Sequence, residues 1–327
     1  MLTQSIVHLG IAAALCCTAL APTGAAHAEF PSKPITVVVP FPPGGGGDVI
    51  SRLLAPKLQA VLKRPIVTDN RAGASGNLGT DLVVRAPADG HTLLLHNSTL
   101  TINPSIGVKQ NFNTGRDLVP LVAVASTPIV IAVHPSLPVK SIAELIDYAK
   151  KNPDKLNYSS CGNGTPQHFA GAQFNKVAGI KMMHIAYKGC SPAVVDGIGG
   201  TVPVLFNTVP NVDAQVKAGK LRYLGVASAK RLSFLADVPT VSETRGMEGF
   251  IADVWFGYLA PAKTPKPVLD QLERELLKVM DDKEVQDALT SRLISRTVLN
   301  SKQFGRQIDS ELVNFKRLAS EFGVVAD

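Results

Sequence analysis

The chain is short of aromatic residues, which make up 6% of its 327 positions, and it holds one tryptophan and four cysteines. Charged residues reach only 18%, too few for a disordered polyelectrolyte or a long coiled coil. Past residue 28 no apolar run approaches the roughly 18 residues of a membrane-spanning helix, so no helical span is expected there. No CxxC pair occurs, and His168 has no second ligand one helical turn on in "HFAGAQ", so no metal and no other cofactor is expected. Lysine and arginine outnumber acids, 33 to 26, yet never cluster beyond pairs such as Lys150-Lys151 and Lys230-Arg231. A nucleic-acid footprint would be a stripe or a run, so no nucleic-acid partner is expected. The spread net charge of +7 instead favours the arrival of a small anion.

What is present begins with the apolar run "IAAALCCTALA" at 11–21, followed by the small-residue site "AAHA" ending at Ala28. The run is too short to span a bilayer and predicts a signal peptide over residues 1–28, cleaved after Ala28, although the first ten residues lack the usual Lys or Arg. Export places the mature chain in the periplasm. Cys16 and Cys17 leave with the signal, and Cys161 and Cys190 remain as an even pair in an oxidising compartment.

The body alternates strand and helix, which predicts an α/β fold with mainly parallel sheet. "ITVVVPF" (35–41), "PIVTDN" (65–70) and "HTLLLHN" (91–97) read as strands, with helices over 49–62 and 76–86 between them. Asp48 stands where a helix N-cap belongs, and Pro56 should cost that helix a bond or kink it. A second series follows: strand 128–136, a helix over 141–153 opened by a Ser141–Glu144 capping box, a strand–turn–helix over 155–179, strand 181–189, a short helix at 191–199, and strands 202–211 and 221–229. The C-terminal third is helical over 267–282, 283–293 and 301–322, with Asn300 and Gln303 capping the last.

Two strand-to-helix turns are glycine-rich: GGGGD at 44–48 and GNGT at 162–165. A helix N-terminus presents unsatisfied N–H groups and a partial positive charge, and glycine lets a ligand reach them. Two such turns in separate units predict a small anion held between lobes. A bare tight turn is the plain alternative. The first turn is no P-loop, because Lys and Ser/Thr do not follow, and Val49 stands where a dinucleotide fingerprint needs its third small residue. "NYSSCGNG" is not a nucleophile elbow, and a Cys161–His168 or Cys161–His184 nucleophile pair is weighed against a bridged cysteine. Trp255 reads either as core packing or as an aromatic wall of the cleft.

Together, "PSKPITVVVPFPPGGGGD", "NRAGASGNLGTD", "LNYSSCGNGTPQH", "AYKGCSPA", "AGKLRYLGVASAKRLSFLADVPTVSE" and "WFGYLAPAKTP" resemble the receptor family of tripartite tricarboxylate transporters, the Bug proteins, over nearly the whole mature chain. The resemblance implies a type II periplasmic-binding fold, with lobe 1 at 29–125 and 257–327 and lobe 2 at 126–256. It implies a non-enzymatic, monomeric receptor that grips a small carboxylate through backbone amides, hydroxyls and waters. The receptor would deliver its solute to a membrane permease or present it to a sensor protein. Ligand-binding positions carried over are Phe41, Pro43, Gly44, Gly45, Gly46, Asp48, Ser75, Asn97, Ser98 and Thr99 in lobe 1. In lobe 2 they are Gly162, Asn163, Gly164, Thr165, His168, Tyr187 and Gly189; Asn207 and Trp255 complete the candidate ligand-binding set. Gly47 replaces a common Thr or Ser, and Asn207 replaces a common acid, which disfavours a ligand amine. Asp48 should turn its charge onto backbone N–H groups rather than onto the ligand. Cys161 and Cys190, in adjacent lobe 2 motifs, are expected to form a disulfide.

Overall fold

The computed structural model describes residues 30–325, so the signal-peptide reading lies outside the described residues. The chain opens with β1 (Ile35–Val39), α1 (Gly46–Leu62), β2 (Ile66–Asn70), α2 (Asn77–Val84), β3 (Thr92–Asn97), α3 (Thr99–Ser105) and α4 (Thr114–Asp117). A long strand, β4 (Leu118–Val133), then carries it across to the second lobe. There follow α5 (Ile142–Lys151), β5 (Asn157–Ser160), α6 (Pro166–Ala178), β6 (Met183–Ala186), α7 (Cys190–Ile198), β7 (Val204–Thr208), α8 (Val209–Lys217) and β8 (Arg222–Val226). β9 (Asp253–Pro261) brings the chain back, and α9 (Lys266–Met280), α10 (Lys283–Thr290), β10 (Ser295–Leu299) and α11 (Ser301–Phe322) complete lobe 1.

The strand order is β2-β1-β3-β9-β4-β7-β5-β6, with β8 and β10 each paired to β4. β1 lies parallel to β2 and β3, and β5 parallel to β6 and β7. The expectation of mainly parallel sheet holds only at these outer ends. β9 runs antiparallel to both β3 and β4, and β4 antiparallel to β7 and β8. The reason is topological: a chain that leaves one lobe and returns must lay its two crossing strands head to tail. β4 pairs with β9 as far as Pro128–Asp253 and with β7 from Ile129–Thr208 onward, so one strand serves both lobes.

Burial follows sequence pattern. β1 supplies four fully buried β-branched residues, Ile35, Val37, Val38 and Val39, as a strand covered on both faces should. β4 is buried along nearly its whole length, because it lies at the centre of the combined sheet. α1 runs through Pro56 without a break in its span. α5 is capped by Ser141 Oγ, which accepts the Glu144 N–H at 3.1 Å; Glu144 itself turns to the Lys140 N–H, so only half of the expected box forms. Asn300 and Gln303 make the full reciprocal pair at α11. α3, α8, β9, β10 and the first half of β4 had no counterpart in the sequence reading.

Candidate functional site

The first corner forms because Pro40, Pro42 and Pro43 cannot continue β1, and the chain turns at Gly44 with φ of 82°. α1 then starts at Gly46 with Gly45 as its N-cap and no side chain closing the end. Asp48 is therefore not the cap, as expected from sequence, but the third helical residue. The helix can start early because glycine packs where nothing larger fits: a Cβ on Gly46 would lie 2.7 Å from the Phe256 ring, and one on Gly47 3.2 Å from Val39. Asp48 nonetheless turns its charge onto a backbone N–H, as anticipated. Its buried carboxylate accepts the Gly44 N–H and the Arg52 Nε–H, each at 2.9 Å. Arg52 continues to Asn70 Oδ1 at 3.1 Å, and Asn70 Nδ2 donates to the Phe41 carbonyl at 3.1 Å, which ties the corner to β2.

The second corner is more heavily fastened. Cys161 is disulfide-bonded to Cys190, 29 residues on, so no thiolate is left for nucleophilic chemistry. Gly162 has φ of 133°, and a Cβ there would sit 2.9 Å from the Tyr187 carbonyl. Thr165 caps α6 by accepting the His168 N–H at 3.3 Å, while its hydroxyl donates to the Gly162 carbonyl at 2.7 Å. Ser160 Oγ accepts the Gly162 N–H at 3.1 Å and meets His184 Nε2 at 2.7 Å. The His184 ring stacks on His168 with centroids 3.8 Å apart. Burial, and then the neighbouring His168, push His184 down to about 3, so it is neutral at physiological pH. Tyr187 donates to Asp196 at 2.5 Å, and burial raises its hydroxyl to about 12.

Both corners line one cleft of about 1140 Å³. From lobe 1 it is bounded by Phe41, Pro43, Gly44, Gly45, Gly46, Ser75, Asn97 and Thr99 of the expected positions. From lobe 2 come Gly162, Asn163, Thr165, Tyr187 and Gly189. The lobes also touch directly: Ser75 Oγ donates to the Asn163 carbonyl at 3.0 Å, and Asn103 Nδ2 holds the Ser75 carbonyl at 2.9 Å. Ser75 and Ala74 reach this position with φ of 52° and 47°, a conformation side chains seldom adopt.

Six expected positions do not line the cleft. Asp48 is engaged as described. Ser98 accepts the Trp255 N–H at 3.0 Å and braces β9. Gly164 abuts Asn103, and His168 lies beneath the turn, its Nδ1 accepting the Gly164 N–H at 3.4 Å. Asn207 is fully buried, with Oδ1 accepting from the Thr208 N–H and from Asn211 Nδ2. Trp255 packs edge-on against Phe304, and its indole N–H donates to Glu311, so core packing rather than a cleft wall is its role.

Several lining residues carried no sequence signal. Thr127 lies on β4 where the chain crosses; like the expected Thr99 at the start of α3 it is buried, and neither hydroxyl has a partner in the protein among the described residues. Such a hydroxyl costs about 1–3 kcal/mol unless a water or ligand satisfies it. Phe256 and residues 291–294 enter the same wall from the far end of the chain. Among the described residues no cluster of three or more His, Cys, Asp or Glu could hold a metal, and no helix is long and apolar enough to cross a membrane.

A family model for tripartite tricarboxylate transporter family receptors matches residues 50–324. Protein BugT of Bordetella pertussis (strain Tohama I) is 34% identical over 300 residues, 90% of each chain. The solved periplasmic binding protein BugD aligns with a TM-score of 0.83 at 30% identity, over 91% of this chain and all of that one. R. palustris Rpa4515, solved with adipate, aligns with a TM-score of 0.86 at 28% identity, over 91% of this chain and 99% of that one. The fold is thus the two-lobed, type II fold of periplasmic binding proteins, and the chain belongs to the receptor family of tripartite tricarboxylate transporters.

Proposed function

We propose that this receptor closes its lobes, residues 29–125 with 257–327 and residues 126–256, over a small carboxylate and hands it to a membrane permease. It does so in the periplasm, after removal of residues 1–28. One observation carries the reading: two helix N-termini from different lobes, one with no side-chain cap, border a single cleft. Main-chain donors at such ends favour an anion, and Asp48, the nearest carboxylate, already spends its charge on Gly44 and Arg52. Thr99 and Thr127 add hydroxyls in want of a partner. No proton transfer or covalent step is needed, which accords with a family of solute-binding receptors. The adipate held by the R. palustris protein supports a carboxylate as the class of solute.

The test is a thermal-shift screen of mono-, di- and tricarboxylates and aromatic acids against their amides. An acid at 100 times its Kd should stabilise the fold by about 2.7 kcal/mol, and its amide should not. Gly45→Val supplies the control. Its backbone has φ of −77°, open to any L residue, and a Cβ meets nothing closer than the Pro42 carbonyl at 3.5 Å, so the position accepts a side chain that enters the corner. Binding should vanish while the melting temperature of the empty protein changes by only a few degrees. Retained binding, or equal stabilisation by the amides, rejects the reading.

A further inference from the structure

The cleft wall contains three charged side chains: Lys188, Arg292 and Asp213. Asp213 is already neutralised by Lys217 at 2.7 Å. Lys188 and Arg292 are exposed, and among the described residues neither has an ion-pair partner.

The two cations stand on opposite lobes, and each sits on a pinned loop. Lys188 lies between β6 and α7, flanked by Tyr187, which is anchored to Asp196, and by Gly189, whose N–H donates to the Cys161 carbonyl at 3.1 Å. The disulfide follows at Cys190. Arg292 lies between α10 and β10 in a turn closed by the Arg292 and Ile294 N–H groups on the Leu289 carbonyl, each at 3.0 Å. One guanidinium nitrogen donates back to the Ala288 carbonyl at 2.9 Å, which restricts the head group while leaving its other N–H groups unused. Both loops are therefore fixed at the cleft by their backbones, and the Arg292 head group is held there as well.

The glycine corners and the buried Thr99 and Thr127 hydroxyls supply neutral donors, enough for one carboxylate. The cleft of about 1140 Å³ lies somewhat above the roughly 300–1,000 Å³ of sites for drug-sized ligands, and leaves room beyond a short monoacid. We propose that Lys188 and Arg292 form a second anion subsite at the mouth of the cleft, so that the receptor selects elongated dianions over monoacids of equal length. This rests on the carboxylate reading above and adds its selectivity. Because each lobe contributes one cation, the second carboxylate would draw the lobes together as well as hold the ligand.

The experiment is titration calorimetry of the mature full chain with matched pairs: hexanoate against adipate, and benzoate against terephthalate. At low ionic strength the diacid of at least one pair should bind about tenfold tighter or better, and added salt should erode that advantage. The double variant Lys188→Met/Arg292→Met should lower diacid affinity to that of the monoacid and leave monoacid affinity within about twofold, a pattern that misfolding would not produce. Each single variant should remove part of the advantage. If the wild type binds the two members equally in both pairs, or the double variant keeps its diacid preference, the subsite is rejected while the corner site stands. If no acid binds the wild type, the corner site falls and the subsite with it.

Discussion

The corner at Gly44–Gly47 has no side chain on its helix end, whereas the corner at Cys161–Thr165 is bound by a disulfide, a threonine cap and a serine. Lobe 1 keeps its turn in place mainly by packing, with Gly46 and Gly47 pressed on Phe256 and Val39. Lobe 2 uses covalent and polar ties. The difference suggests a division of labour: an open set of donors on one side and a pre-set clamp on the other.

The sharpest way to break that contrast is to cut the disulfide. Cys161→Ser with Cys190→Ser reopens a loop of 29 residues and should cost about 3–4 kcal/mol in the chain-entropy account. Denaturant melts would show it, and ligand affinity should fall as well, since the bond positions Gly162 and Lys188. A loss under 1 kcal/mol would mean that packing, not the bond, sets the turn.

Each lobe also hides a neutral histidine. Burial lowers His96 to about 4, and burial with His168 lowers His184 to about 3. Both lie below the unfolded value near 6.5, so the unfolded chain binds more protons between these values. Stability is therefore complete above about pH 6.5 and falls as pH drops toward 4 and then 3. For the fully buried His96 the loss is about 3 kcal/mol, and His96→Gln should flatten the upper part of the profile. Melting temperatures that do not change from pH 7 to 4 would contradict this.

Asp48→Ala removes two charge-assisted hydrogen bonds from the lobe 1 corner and should destabilise by about 2 kcal/mol, measured by urea melts. Asp48→Asn should recover part of that. The smallest effect is expected for Thr165→Ala, which strips the α6 cap for about 1 kcal/mol. If Thr165→Ala costs more than the cysteine double variant, the lobe 2 clamp depends on its cap more than on its bridge.

Much of this was legible in the sequence where the signal is local. β1, β2 and β3 are bounded by prolines, glycines and polar turns, and both corners announce themselves as glycines between a strand and a helix. The crossing strands were not legible. β9 and the first half of β4 owe their pairing to partners more than a hundred residues away, so "WFGYLAP" shows no local period. α8 was hidden because "VPNVDAQVK" follows a strand directly and carries Pro210 in its first turn, where proline is tolerated but reads as a break. Asp48 was assigned the cap because the preceding glycines read as loop; Phe256, far along the chain, is what makes them helix. Thr127 and Arg292 reach the cleft through tertiary placement alone.

Trp255 is the chain's single tryptophan. It sits on β9 at the crossing, packed on Phe304 of lobe 1, and borders a small hollow with Pro166, Phe169 and Ala170 of lobe 2. Any rotation of one lobe against the other changes what surrounds that ring. The protein therefore carries a built-in optical gauge: emission from one site should register opening and closing without a dye or a tag.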